Sequence, residues 1–296
     1  MGTTLQYTVA HHTFRIQFIQ ECNDESLLPS FPAFKVETDA QPALFTLRVD
    51  DTALPHEKGR EIGQFDTGGS NNGVYITADG GYQIMISDLS GRKCCLLQAN
   101  ADFSVATAAL RGDHYLRQFG LNNAVMMMYA FASADKDTLL MHASVIRHKG
   151  IGYLFLGVSG TGKSTHTANW LKYIEGTDLM NDDNPVVRVV DGKARVYGSP
   201  WSGKTPCYRN IEAPVGGFVQ LKQAPYNKIS CMTVIETFSS LLPSCSVMKW
   251  DRRDYVGVCD TVNHVMQLTK TFFLENLPDE EAVRLSFNTL TSEQKS

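Results

Sequence analysis

The chain is 296 residues long, 43 % hydrophobic and 20 % charged, with a net charge of −4. That length supports a large core and either two domains or one elaborated domain, and the slight negative charge leaves no electrostatic footprint for nucleic acid. With no run long and apolar enough to span a bilayer, the sequence reads as a soluble globular protein that binds neither nucleic acid nor membrane.

Residues 1–12, MGTTLQYTVAHH, lack the basic stretch and apolar core of a signal peptide, and Gln6 spoils a myristoylation match. Seven cysteines (Cys22, Cys94, Cys95, Cys207, Cys231, Cys245 and Cys259) form no C-x-x-C pair. An odd, scattered set fits reduced thiols better than a disulfide framework or a zinc site, so a cytoplasmic protein is expected.

In chain order, the first hundred or so residues read as β-structure. Polar and apolar residues mostly alternate over 13–19, 34–38 and 44–49. The stretch 68–73, GGSNNG, reads as a surface turn, and strands at 74–77 and 82–87 flank Asp79-Gly80-Gly81, a pattern of antiparallel sheet. His11, His12 and His56 lack metal-ligand spacing and are expected at the surface. These features make a β-rich N-terminal region over 1–112, followed by a second domain over 113–296.

The second domain opens with a dense apolar stretch, 116–134, expected to be a buried helix with Met126, Met127 and Met128 as core filler. Residues 139–146 and 153–156 are strand-like and joined around Lys149-Gly150, giving a hairpin. Its second strand runs into Gly157, Val158, Ser159, Gly160, Thr161, Gly162, Lys163, Ser164 and Thr165. This is G-x-x-x-x-G-K-[ST] between a strand and a helix, the context in which glycines let backbone N–H groups converge on phosphate oxygens at a helix N-terminus. Four fixed positions arise by chance in such a chain on the order of once in a hundred. Lys163 supplies a mobile charge for the outer phosphates, and the Ser164 hydroxyl can take one position on Mg²⁺.

The helix after the loop is expected over 165–174, with Ala168, Leu171 and Ile174 on its buried face. Leu179 and Met180 then run into Asn181, Asp182 and Asp183, and extended structure resumes over 186–190 and 194–197 across an Asp191-Gly192 turn. Residues 198–204 read as a loop and 217–221 as a strand. Val262, Val265, Met266 and Thr269 mark a short helix, 271–274 a strand, and Pro278 with Asp279, Glu280 and Glu281 the start of a last helix. That helix would turn Val283, Phe287 and Leu290 to the core.

Asp182 and Asp183 lie only 19 and 20 residues after Lys163. One helix and a return strand fit that interval and bring the pair back beside the loop. Adjacent carboxylates there can divide the work of phosphoryl transfer, one on Mg²⁺ and one taking a proton from an attacking hydroxyl. N-D-D-N-P is also good turn composition; the spacing after the loop favours the site reading over the plain turn.

GVSGTGKST followed closely by LMNDDNPVV resembles the catalytic domain of the HPr kinase/phosphorylase family and its relative, phosphoenolpyruvate (PEP) carboxykinase. The stretch MHASVIRHKGIGYLFLGVSGTGKS, which begins just before His142, is similar in pattern and length to the kinase family's run from its active-site histidine to the loop. The resemblance covers residues 138–220. It implies an α/β fold, a PEP-carboxykinase-like P-loop domain with a mixed sheet after the β-rich region, and use of ATP and Mg²⁺. It also implies that His142, Lys163, Ser164, Asp182 and Asp183 carry the chemistry, with Asp183 as base and Asp182 with Ser164 on the metal side. Where the family has a metal-binding glutamate, this chain has YGSPWSGKTPCYRN, and its next glutamate is Glu212. For a cation on the transferred phosphoryl group, Lys204 in its glycine-flanked loop is the first candidate, before Arg209, Arg252 and Arg253. Arg252 and Arg253 read more simply as a solvated turn, and Trp201 as either a stacking platform or a packed loop residue.

The expected function is therefore an ATP- and Mg²⁺-dependent kinase acting on a hydroxyl of an unidentified protein or small molecule. The alternatives are a nucleotide-binding module without transfer activity and, less favoured, a carboxykinase-like lyase. The oligomeric state stays open between a monomer and a homo-oligomer.

Overall fold

A computed structural model describes residues 2–57, 59–66 and 71–292. They group into two compact units: Met1–Ser133 with Met248–Arg252, and Ala134–Val247 with Arg253–Ser296. The chain is thus a mixed α/β protein with two large mixed sheets, one in each unit, and the N-terminal unit is β-rich.

The first unit holds β1 (Thr3–Val9), β2 (His12–Phe18), β3 (Lys35–Val36), β4 (Thr46–Val49), β5 (Glu61–Asp66), β6 (Asn71–Ile76), β7 (Tyr82–Ser87), β8 (Lys93–Ala99) and β9 (Val105–Leu110). Their order is β3-β1-β2-β4-β9-β8-β7-β6-β5. β4 runs parallel to β2 and to β9, and the other pairings are antiparallel. Helix α1 (His114–Ala132) starts at Asp113, whose carboxylate accepts the Leu116 N–H, and lies on β7, β8 and β9. Gly120 permits the close approach, since a Cβ there would stand 2.8 Å from the Cys94 carbonyl oxygen.

Three expectations shift in this unit. The strand foreseen at 34–38 is a single 3₁₀ turn, Pro32–Phe34, with two strand residues after it; Pro32 fixes φ and donates no ladder bond. Of the foreseen 68–73 turn, residues 68–70 lie outside the described residues. Asn71, Asn72 and Gly73 belong to β6, where the Asn72 side chain is buried and accepts the Ser87 N–H. The compact units also divide after Ser133 and not at 112/113, because α1 packs on the first sheet.

The second unit holds β10 (Thr138–Leu140), β11 (Ala143–His148), β12 (Ile151–Leu156), α2 (Lys163–Tyr173), β13 (Thr177–Asp183), β14 (Val186–Val190), β15 (Lys193–Tyr197), β16 (Glu212–Gln223) and β17 (Lys228–Cys231). It continues through α3 (Val234–Leu241), α4 (Arg252–Leu268), β18 (Thr271–Asn276) and α5 (Glu280–Ser292). The sheet runs β10-β14-β15-β16-β12-β11-β13, with β18 beside β16 and β17 beyond it. β16 is parallel to β12 and β18. Its first residues pair with β15 and its last with β18, and the change of neighbour falls at Gly216-Gly217, where Gly217 has φ +150°.

Successive residues of β12 enter opposite cores. Leu154 and Leu156 pack with Leu241, Val258 and Val262 of α3 and α4, while Tyr153 and Phe155 pack with Trp170, Val283 and Leu290 of α2 and α5. Both faces of the sheet are therefore covered by helices, which explains an unbroken apolar run at 153–156 instead of alternation. Among the described residues no helix is long and apolar enough to cross a membrane.

The strand foreseen over 139–146 is two strands, β10 and β11, parted at Met141-His142. Both residues bond outside the run, His142 N–H to the Ser244 carbonyl and Met141 in a bridge to Cys245. Arg252 and Arg253, foreseen as a turn, open the 17-residue helix α4. The buried side of α2 is His166, Thr167 and Trp170, whereas Ala168 and Leu171 are exposed.

His166 lies between Trp170 and Ser286 of α5, and its Nδ1 has no partner among the described residues. Burial pushes its pKa from 6.5 down to about 4. Between those two pH values the unfolded chain binds the proton and the native one does not, so stability falls as pH drops through that window. The loss is on the order of 2–3 kcal/mol by pH 4.5, and His166→Gln should remove that part of the slope. Urea midpoints at pH 7 and 4.5 test this; equal acid sensitivity of the two proteins would exclude the linkage.

Candidate functional site

After β12 the backbone takes left-handed angles at Gly157 (φ +152°), Gly160 (φ +84°) and Gly162 (φ +106°). Side chains are disfavoured at all three, and at Gly157 a Cβ would also stand 3.0 Å from the Thr161 Cβ. The turn is closed by Thr161, whose N–H and hydroxyl both donate to the Val158 carbonyl, at 3.1 and 2.6 Å. Ser159 is exposed in this loop. No side chain caps α2 at Gly162, so the first N–H groups of the helix face the loop without a side-chain acceptor. Thr165 is exposed on that first turn.

Lys163 is buried, 8 % exposed, and folds back over the loop. Its Nζ donates to the Gly157 carbonyl at 2.8 Å and lies 2.8 Å from His142 Nε2. An ammonium has only donors, so Nε2 is the acceptor and the ring proton sits on Nδ1. Nδ1 lies 2.9 Å from Asp183 Oδ1 and donates to it. The break between β10 and β11 is what turns His142 to this position, next to the end of β13, since Ala143 pairs with Asp183. Burial lowers the Lys163 pKa, and the Asp183 and Asp182 carboxylates pull it part of the way back.

Asp183 ends its strand at φ +116°, a conformation that costs a non-glycine residue about 1–3 kcal/mol. The surroundings hold it there. Asp183 bridges Ser202, Asn184 Nδ2 donates to Asp183 Oδ2 at 3.1 Å, and Gly203 lies so close that a Cβ would stand 2.9 Å from that of Asp183. Asn181 braces the bend: its Oδ1 accepts the Asn184 N–H and its Nδ2 donates to the Trp201 carbonyl, both at 3.0 Å. The segment is a turn and a strand end at once.

Asp182 faces elsewhere, as strand neighbours do. It is 3 % exposed and accepts from the Ser144 hydroxyl, from Ser164 Oγ at 3.2 and 3.3 Å, and from the Thr205 N–H at 3.3 Å. Among the described residues no three His, Cys, Asp or Glu side chains gather as a metal cage. A carboxylate beside a hydroxyl is nevertheless a donor set that fits Mg²⁺, which keeps waters and phosphate oxygens as its other ligands.

The glycine loop, Lys163, His142, Asp183, Asp182 and Ser164 are thus brought together. Lys204 is exposed and has no hydrogen-bond or ion-pair partner among the described residues. Its loop is nonetheless anchored on the aspartates, because Ser202 Oγ and the Gly203 N–H donate to the Asp182 carbonyl. Arg209 is bound instead to Asp178 and the Leu179 carbonyl, beside Arg147. Arg253 faces Asp135 at 3.8 Å, and Trp201 is buried at 2 % exposure. Arg252 belongs to the other compact unit.

Three contributors went unread in the sequence. Ser144 and Thr205 hold Asp182, and a cavity of about 590 Å³ opens beside the loop, walled by β17 and α3. Ser144 stands directly opposite Asp182 in the β11–β13 pairing, a register that spacing along the chain does not reveal. Comparison with known families finds no family model that matches the chain, and comparison with curated proteins finds no match.

Proposed function

We propose that the chain is an ATP- and Mg²⁺-dependent phosphotransferase with a PEP-carboxykinase-like P-loop fold, of the HPr-kinase-like group, that phosphorylates a hydroxyl. The observation that carries this reading is the hydrogen-bonded series Lys163 Nζ, His142, Asp183, set at the mouth of the glycine loop with Ser164 and Asp182 alongside.

In this mechanism the loop N–H groups and the α2 N-terminus hold the phosphates, and Lys163 trades its contacts with Gly157 and His142 for β- and γ-phosphate oxygens. Ser164 and Asp182 would hold Mg²⁺, which would supply charge neutralisation on the phosphates. The acceptor oxygen attacks the γ-phosphorus, the bond to the β–γ bridging oxygen breaks, ADP leaves, and the hydroxyl proton passes to the Asp183 carboxylate. His142, donating through Nδ1, keeps Asp183 aimed. Lys204, on the loop anchored to Asp182, can reach in to offset charge on the moving group. The seven free thiols, four of them buried, suit the reduced cytoplasm where ATP is available.

γ-Labelled ATP with Mg²⁺ and a cell extract tests the reading. Label on an acceptor is the expected result. Tight nucleotide binding with no label leaving ATP would replace the enzyme by a nucleotide-responsive module, and PEP formed from oxaloacetate and ATP would replace it by a lyase.

A further inference from the structure

We infer that the acceptor is a small hydroxyl compound, uncharged or amine-bearing, that occupies the cavity between the glycine loop and α3. This rests on the phosphotransferase reading for the word acceptor; the ligand's size and charge rest on the cavity alone.

The position of the cavity comes from Lys163. In such loops the lysine reaches the β- and γ-phosphates, and the two groups nearest its ammonium, the Gly157 carbonyl and His142, belong to residues lining the cavity. Val158, 78 % exposed, lines it as well. In such loops the backbone N–H groups and the helix N-terminus cradle the inner phosphates, which would lead the nucleoside away past Ser164 and Thr165 on α2. That would set the cavity beyond the γ-phosphate, where an in-line nucleophile must stand.

Its chemistry follows from the lining. The volume of about 590 Å³ is that of a small-molecule site. Met232, Pro243 and Phe273 give it apolar surface, and Ser230, Ser239 and Gln220 give uncharged hydrogen-bonding groups. The Gln220 amide is oriented by the Ser240 hydroxyl, which donates to Oε1 at 2.8 Å. Among the described residues no lysine or arginine lines the cavity, and Glu236 is its one acid. Glu236 Oε2 takes the Thr233 N–H and hydroxyl, both at 2.8 Å, which fixes the carboxylate at the cavity wall. With the Lys163 ammonium turned to the β- and γ-phosphates, a phosphorylated or carboxylated acceptor would lose water here with no other lysine or arginine in the lining to replace it and would face a carboxylate. A neutral polyol or an amino alcohol meets no such penalty, and an ammonium group gains Glu236. The transfer step is the one given above, with ATP as the phosphoryl donor and no further reactant, and the acceptor hydroxyl would reach past His142, which lines the cavity, to Asp183 behind it, which does not.

Cys231 is exposed and lines the cavity, so it reports occupancy without any transfer. A protein-free metabolite extract is split by ion exchange into anionic, neutral and cationic fractions, and each is added to the full chain. Two readouts are taken: the rate of N-ethylmaleimide modification at Cys231, with exposed Cys22 as internal control, and label transferred from γ-labelled ATP. The neutral or the cationic fraction should slow Cys231 about tenfold at ten times its dissociation constant, leave Cys22 unchanged, and accept label. Cys231 protection without label upholds the cavity and removes the kinase. Label confined to the anionic fraction or to added protein, or Cys231 unprotected by the neutral and cationic fractions, overturns the inference.

Discussion

Asp183→Asn should lower phosphoryl transfer on the order of 10²- to 10⁴-fold, the range for removing a positioned acid or base, while nucleotide affinity stays within about twofold because no phosphate contact is lost. Asparagine keeps the shape of the side chain and an oxygen for the His142 Nδ1 proton, and it gives up the negative charge, the capacity to take a proton and the second oxygen that accepts from Asn184. It is also among the residues that best tolerate a left-handed backbone, so φ +116° at this position is not made worse. The fold, the His142 contact and the loop should therefore survive, and the defect should appear in kcat with KM for ATP unchanged. Asp183→Ala is the harsher comparison: it frees the His142 ring, so a further loss beyond Asp183→Asn measures what orientation adds. Transfer by Asp183→Asn at the normal rate would remove Asp183 as the base.

The half of the site that was legible in the sequence is the half built from local rules. Three glycines that need left-handed angles, a lysine and a hydroxyl at fixed spacing, and a carboxylate pair one helix and one strand away are all short-range patterns, and all converge. What could not be read depends on distant bonds. Met141 continues the apolar pattern of its strand, and only the bonds from Met141 and His142 to Cys245 and Ser244 reveal the break that turns His142 inward. The different surroundings of Asp182 and Asp183 likewise depend on a backbone angle held by Ser202, Gly203 and Asn184, far or unremarkable in sequence.

Burial on α2 misled for a related reason. Leu171 looks like a core residue and is exposed, while His166 is buried because Ser286 of α5 packs on it. Arg209 looked free to clamp phosphate until Asp178, 31 residues away, was seen to hold it. By contrast α3, which went unread in the sequence, carries a local signal. Thr233 and Glu236 form a reciprocal capping box, a T-x-x-E signature visible in the chain. The exposed Val234 and Ile235 between these two residues obscured the apolar face.

Lys163→Met is the second large effect, and it separates the loop's two tasks. Methionine fills the same space but carries no charge and no donor. Charge-assisted bonds to phosphate are worth about 1.5–3 kcal/mol, so ATP should bind about 10- to 150-fold more weakly. Transfer at saturating ATP should fall a further 10² to 10³, as when one donor to a developing charge is removed. The protein itself should lose little stability, because burial already opposes the ammonium, as the lowered pKa of Lys163 records. The sign at high pH follows. A lysine whose folded pKa lies below 10.5 sheds its proton before the unfolded chain does, so its contribution to stability rises with pH through that interval, and Lys163→Met should flatten the rise. A local mark is available too. With Lys163 gone, His142 Nε2 loses its donor, and the ring is free to exchange tautomers although Asp183 still favours the Nδ1 proton. Nitrogen-15 chemical shifts of the His142 ring would show this, and unchanged shifts together with unchanged ATP affinity would mean that Lys163 serves neither the phosphates nor His142.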